Sequence, residues 1–354
     1  MKKIQIFIAL WVVTALSNCQ YPVDNSTLPD SKQFLIIDVE LTPSYGKVNV
    51  TYTLQDVTSK GGYAFPKAPK AVAYVIDSRG ARFDFAKTDG TPNTAFNGII
   101  GTTYRLFVEV DGKKYESKPE TMADCPNIDS LTTPYRREVF RSPTDLFYDG
   151  FDVYTNSKDA PNVENYYQWD WIHYELASFC DMKETKFDGK EVLIPCFPHR
   201  CWNIVYNTQT IVASDKLRDG QPLANRVVRV PFSTPPNKYY LKVTQRAITP
   251  SVFSYLQSVQ TQTQSTGTLF DVPAQTRFNP NVFNVSDPKE QILGVFSVFS
   301  FKYKIIYIDM LQNIPNAQPK VFPNYTPYTG DIFLNAPCVE GVLRTKIMPE
   351  GWVD

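Results

Sequence analysis

The sequence predicts a mainly β protein: an N-terminal immunoglobulin-like β-sandwich followed by a larger β-rich domain with one short helix. Three observations carry this expectation. Apolar and polar residues alternate with a period of two in several segments. An Asp111-Gly112 pair, suited to a tight hairpin, follows one of these segments. Only one stretch, after Thr249, has a convincing helical period.

Taken in order, Leu35-Ile36-Ile37 opens the first strand. In the second, Val48, Val50, Tyr52 and Leu54 alternate with Asn49, Thr51 and Thr53. Val72 to Ile76 is a third. Tyr104, Leu106, Val108 and Val110 form one face of a fourth, which runs into Asp111-Gly112, so Lys113 to Ser117 is expected to return antiparallel. These elements place a small sandwich at 34–118, after a turn-rich tether at 19–33. Pro119 and Pro126 mark a linker at 119–133, and the β-rich domain follows at 134–354. In that domain, strands are predicted around Phe147 to Thr155, Tyr166 to Leu176, Val227 to Val230 and Tyr239 to Val243. The helix is expected near 250–264. Thr249 is a candidate N-cap, Pro250 suits the first helical position, and Val252, Leu256 and Val259 fall at i, i+4 and i+7. Ile292 to Ile308 is too long and apolar for one surface strand, which implies a bulge or a buried central strand.

The first 18 residues read as an address. Lys2 and Lys3 precede an apolar run from Ile4 to Leu16, whose 13 residues would span about 20 Å as a helix, short of a hydrocarbon core of roughly 30 Å. Leu16-Ser17-Asn18-Cys19 has the pattern of a bacterial lipobox, so Cys19 is the expected lipidation site and its acyl chains the expected membrane attachment. Asn18 departs from the small residue usual before that cysteine. No later stretch reaches 18 consecutive apolar residues.

Composition narrows the function. The chain has 354 residues, 43% hydrophobic, and 36 basic residues balance 36 acidic ones. Without a basic excess the usual driving term for nucleic-acid binding is missing, and no nucleic-acid partner is expected. Removal of Lys2 and Lys3 with the signal leaves 34 basic against 36 acidic residues. There are only two histidines, His173 and His199, and no G-x-S-x-G, H-E-x-x-H, phosphate-loop, dinucleotide or EF-hand motif. The sequence therefore predicts no enzyme and no cofactor.

Beyond Cys19 lie Cys125, Cys180, Cys196, Cys201 and Cys338. In an oxidising compartment these favour disulfides, with Cys180, Cys196, Cys201 and Cys338 as candidates and Cys180 paired with Cys196 or Cys201 as the preferred bridge. The spacing Cys180, Cys196, His199, Cys201 also admits a tetrahedral metal site, although the tight Cys-x2-Cys knuckle is missing. Tyr167, Trp169, Trp171, His173 and Glu175 share one face of a predicted strand. Such a stripe is usually core, and the alternative is a sugar- or peptide-stacking surface at Trp169 and Trp171. Asp170 and Glu175 point to opposite faces, so they do not form a glycosidase carboxylate pair.

Several segments together resemble one family. They are Tyr166-Tyr167-Gln168-Trp169-Asp170-Trp171, Cys201-Trp202, and the block from Tyr239-Tyr240-Leu241 through Thr249-Pro250-Ser251. The likeness continues in Gly267-Thr268-Leu269-Phe270-Asp271, Asn281-Val282-Phe283-Asn284 and Ile292-Leu293-Gly294-Val295. With the lipobox and Gly101-Thr102-Thr103-Tyr104, the chain resembles the outer-membrane lipoproteins of Bacteroidota grouped as domain-of-unknown-function family 4249. The resemblance implies a two-domain β-rich lipoprotein of a kind often encoded beside TonB-dependent outer-membrane transporters, and so an accessory or substrate-capturing partner of such a transporter. It supplies no catalytic residue. Cys196 departs from the family pattern, as does a C-terminal region with Cys338 alone, so no disulfide pattern transfers. Two other expectations stand beside this one: a carbohydrate- or peptide-binding surface module, and a hydrolase whose site gathers His173 or His199 with distant residues.

Overall fold

The computed structural model describes residues 33–53, 70–141, 146–158, 161–179, 183–187, 190–194, 199–232, 238–264, 278–310, 314, 320 and 338–353. Among them are 21 strands and one helix, so the protein is mainly β. Cys19, the signal and most of the tether lie outside the described residues.

Leu35–Leu41 and Gly46–Tyr52 form an antiparallel pair whose alternate residues Ile37, Val39, Leu41, Val48 and Val50 are buried, as their period of two requires. The facing sheet runs in the order Val282–Asn284, Lys113–Ser117, Thr103–Val110, Val72–Asp77, Arg82–Phe85. Its Val75, Tyr104, Leu106, Val108 and Tyr115 meet the first sheet in one core with Phe96 and Met122. Asp111 (φ 52°) and Gly112 (φ 73°) both take the left-handed conformation, and Lys113–Ser117 returns antiparallel through the expected tight turn.

These two sheets are not made by residues 34–118 alone. Phe296–Val298 joins Leu35–Leu41 in parallel, and Val282–Asn284 joins Lys113–Ser117. The apolar stretch expected as one long strand is divided: Phe296–Val298 completes the first sheet, and Ser300–Asp309 pairs with Lys238–Ile248 in another. Burial explains the split, because Phe296, Val298 and Phe299 have less than 3% of their surface exposed and serve different cores. The approach is close. Leu293 and Val295 carbonyls accept from the N–H groups of Ile37 and Val39, and Gly294 sits at φ +88° where a Cβ would lie 2.2 Å from the Ile37 carbonyl oxygen.

The chain leaves this first body between Glu120–Thr121, which pairs with Thr103–Val110, and Ile128–Thr132, which pairs with Phe147–Lys158. Two more sheets follow, besides the two-stranded pair of Lys183–Phe187 and Lys190–Ile194. One places Phe147–Lys158 between Pro222–Pro231 and the strands Ile128–Thr132 and Tyr135–Arg141. The other runs Ser300–Asp309, Lys238–Ile248, Tyr166–Phe179, His199–Tyr206, Arg344–Thr345, with Ile211–Ser214 also on Tyr166–Phe179. Phe151, Val153, Val227 and Val230 of the first pack on Tyr167, Trp169, Leu241, Val243 and Ile308 of the second.

The helix spans Pro250–Gln264, with Phe253 N–H closing its first turn on the Thr249 carbonyl at 2.9 Å. Val252 packs with Ile248, Val295 and Phe299, so the helix covers the junction between the two bodies. Asp38, on the outward face of its strand, is drawn into this junction. Burial, reinforced by the neighbouring Glu40 carboxylate, pushes its pKa up to about 6, against which Lys47 and the Val295 N–H only partly act. The folded state therefore holds this proton more tightly than the unfolded chain, and stability falls as pH rises from about 4 through about 6. Asp38→Asn is expected to remove this slope and to stabilise the protein at pH 7 by roughly 1–3 kcal/mol. Thermal melts of both proteins between pH 4 and 8 check it; curves that stay parallel would refute the assignment.

Candidate functional site

The aromatic stripe is core at its centre. Trp169 is 1% exposed and Tyr167 2%, and the Trp169 Nε1–H donates to Gln245 Oε1 at 2.9 Å. No face of that indole is open to a sugar. Trp171 is partly buried and packs against the same core. Gln245, fully buried, holds a polar knot in the interior. Its Oε1 also accepts from Ser157 Oγ at 3.3 Å, and its Nε2 donates to the Pro126 carbonyl at 3.1 Å. Cys125 lies beside it as a buried free thiol, and burial pushes its pKa up to about 11, so the thiolate needed for reaction is scarce at neutral pH.

His173 is also held in place. Its ring stacks on Tyr239 at 3.7 Å with 2° between the planes, its Nδ1 donates to the Tyr240 carbonyl at 2.6 Å, and its Nε2 lies 3.2 Å from Glu175 Oε1. The side chain of His199 lies outside the described residues, as do Cys180 and Cys196. Cys201 bonds to Cys338 with a Cα–Cα distance of 6.0 Å. Of the two preferred pairings, Cys180 with Cys201 is therefore corrected, and Cys180 with Cys196 lies outside the described residues. The bridge closes a separation of 137 residues, because the sheet brings the C-terminal segment alongside His199–Tyr206, a proximity no local spacing encodes. With its sulfur in that bond, Cys201 also offers no thiolate to a metal. Among the described residues no group of three or more His, Cys, Asp or Glu could hold a metal ion, and no helix is long and apolar enough to cross a membrane.

A hollow of about 280 Å³ opens where the two bodies meet the helix, between Glu120–Thr121, Val163–Tyr166 and Ala247–Pro250. It adjoins a shallower depression over Val212–Ser214 and Phe253. Its one buried carboxylate, Glu120, is occupied by architecture. Ser251 Oγ donates to Glu120 Oε1, and so does Asn281 Nδ2 at 2.6 Å; Asn281 also exchanges two bonds with the Phe296 backbone. These groups tie the helix start to the first body.

A different surface stands out after Cys338. There the backbone is tightly held. Leu343 and Val342 carbonyls accept from Ile204 N–H at 2.9 Å and Tyr206 OH at 3.0 Å, and Arg344–Thr345 extends the sheet at Trp202–Asn203. Further along, Tyr240 OH donates to the Glu350 carbonyl at 2.9 Å, and Trp352 packs its ring against Trp202 and Tyr240, each at 5.8 Å. Lys242 and Tyr303 grip the Glu350 carboxylate at 2.8 and 2.7 Å and hold its pKa below the ordinary value. Yet the side chains on this fixed backbone face water: Val342 is 79% exposed and Ile347 75%, with Val339, Leu343 and Met348 similarly bare and Val205 and Tyr206 half-exposed beside them. Solitary exposed apolar residues are ordinary, but five within the ten residues 339–348 are a concentration of the kind that marks contact surfaces. Sequence reasoning missed it, since Val342-Leu343 and Ile347-Met348 have neither strand nor helix period and read as unremarkable tail.

A family model described as Domain of unknown function (DUF4249) matches residues 21–305, about four fifths of the chain. No curated protein and no solved structure matches it.

Proposed function

The chain belongs to the DUF4249 family, and we propose that the protein is a non-enzymatic accessory lipoprotein of the outer membrane that docks on a TonB-dependent transporter and helps it capture substrate. The observation that carries this reading is the ridge at Val342, Leu343, Ile347 and Met348. A chain that spends a disulfide and several backbone bonds on holding apolar side chains outward has pre-organised them for a partner, which lowers the ordering cost of association. The lipobox ending at Cys19 supports attachment to the membrane in which such a barrel sits, and the Bacteroidota resemblance supports the identity of the barrel. A sugar-stacking module finds no support at Trp169, whose indole is buried.

Purification from native membranes in mild detergent tests the proposal. The transporter is expected to co-elute with the wild-type chain and to be lost with Val342→Asp/Ile347→Asp, whose exposed positions leave folding intact. Cys19→Ala should release the protein into the soluble fraction. Wild-type lipoprotein recovered repeatedly without any barrel would overturn the reading.

A further inference from the structure

The outer face of Phe147–Lys158 carries an arrangement of charge that the docking reading does not use. Asp152 is buried there, and three guanidinium groups converge on its carboxylate. Arg229 reaches it with Nε at 2.7 Å and Nη2 at 3.3 Å, Arg136 with Nε at 3.4 Å, and Arg226 with Nη1 at 3.8 Å.

Two irregularities in the sheet create this convergence. Arg226 and Arg229 are three residues apart and would point to opposite faces of a regular strand. The register shifts between Val153 and Tyr154, so that Arg229 lies opposite Asp152 while Arg226 lies opposite Tyr154, on the same face. On the other side the pairing with Tyr135–Arg141 shifts between Tyr148 and Gly150, and Glu138 takes a left-handed φ of 54°. Asp149 pins that second bulge by accepting from Tyr135 OH at 2.5 Å and Glu138 N–H at 2.8 Å, which sets Arg136 opposite Gly150 and over Asp152. Bulges on two neighbouring strands thus aim arginines at one point.

The charges there do not balance. Three cations meet one carboxylate, and the nearby Glu138 is engaged by Lys320. Arg229 is spent on Asp152 and on the Val139 carbonyl. Beyond their ion pairs with Asp152, the side chains of Arg136 and Arg226 make no hydrogen bond to any described residue, and they are 49% and 51% exposed, so each keeps donors open to solvent. We propose that Arg136 and Arg226 form a binding site for a phosphate group. A surplus of two positive charges matches a phosphate dianion better than a single carboxylate, and two guanidinium forks suit its several acceptor oxygens. Free phosphate and the phosphate of a lipid headgroup share this chemistry.

The test uses the Cys19→Ala protein, so that no acyl chain contributes. Inorganic phosphate is titrated calorimetrically at low ionic strength, and flotation is measured with phosphatidic acid vesicles against phosphatidylcholine vesicles. Saturable binding of phosphate identifies a free ligand, and binding confined to phosphatidic acid identifies a headgroup; either supports the site if Arg136→Gln/Arg226→Gln weakens it at least about tenfold. If that variant does not fold, Arg136→Lys/Arg226→Lys keeps the charge but removes the forks, and several-fold weaker binding is expected. Absence of binding in both assays overturns the proposal, as does binding that the folded variants leave unchanged.

Discussion

Replacing Gln245 by leucine is expected to lower the unfolding free energy by about 3–5 kcal/mol. The substitution nearly conserves volume, so the loss comes from polar groups left behind. Trp169 Nε1–H and the Ser157 hydroxyl lose the oxygen they share, and the Pro126 carbonyl loses its donor, all at the core between the sheets of Phe147–Lys158 and Tyr166–Phe179. Each stranded buried group costs about 1–3 kcal/mol, and because they share one partner the costs do not add fully. Denaturant unfolding of the wild type, Gln245→Leu, Trp169→Phe and the double variant would show it. The double variant should be more stable than the sum of the single losses by about 1–2 kcal/mol, because removing the indole N–H removes one of the groups that Gln245→Leu strands. A single-variant loss below about 1 kcal/mol would mean that the knot does not hold the core as described.

Breaking Cys201–Cys338 is the second large effect. With a sequence separation of 137, the bridge removes about 5 kcal/mol of chain entropy from the unfolded state on the loop-closure account, and a loss of about 3–5 kcal/mol is expected for Cys201→Ser/Cys338→Ser. The effect is also local. The bridge is the covalent tie of residues 338–353 to the sheet, so the variant should become sensitive to trypsin at Arg344 and Lys346 while the wild type resists. Peptide mapping without reduction should recover Cys201 linked to Cys338; recovery of Cys201 linked to Cys180 would contradict this pairing. Loosening the ridge should also weaken co-purification of the transporter, which links this stability measurement to the proposed function.

Much of the architecture was legible because it is local. The period of two in Val48, Val50 and Tyr52 placed a strand, the Asp111-Gly112 pair placed a hairpin through its positive φ angles, and Thr249-Pro250 placed the start of the helix at the residue where it begins. Other strands were read short. Tyr166–Phe179 runs three residues beyond Leu176, and His199–Tyr206 was not anticipated at all, since its apolar residues Ile204 and Val205 are adjacent and show no clean alternation. The site was less legible than the fold. Trp169 was visible as an aromatic residue on one strand face, but whether that face was core or surface depends on what packs against it, and the answer is Gln245 from a strand 76 residues away.

The sequence by itself determined the β class, the position of the helix at 250–264, the family resemblance and the absence of local catalytic motifs, because each of these is written in neighbouring residues through backbone geometry or side-chain period. Only the tertiary structure decided that Val282–Asn284 and Phe296–Val298 complete the first body, that Cys338 is the partner of Cys201, that an apolar ridge stands open at the C-terminal end, and that two bulges gather three arginines on Asp152. The physical reason is common to all four. Sheet hydrogen bonds and burial join segments by shape and by the exclusion of water, without regard to their separation along the chain, and a one-residue slip in register reverses the face on which a side chain lands.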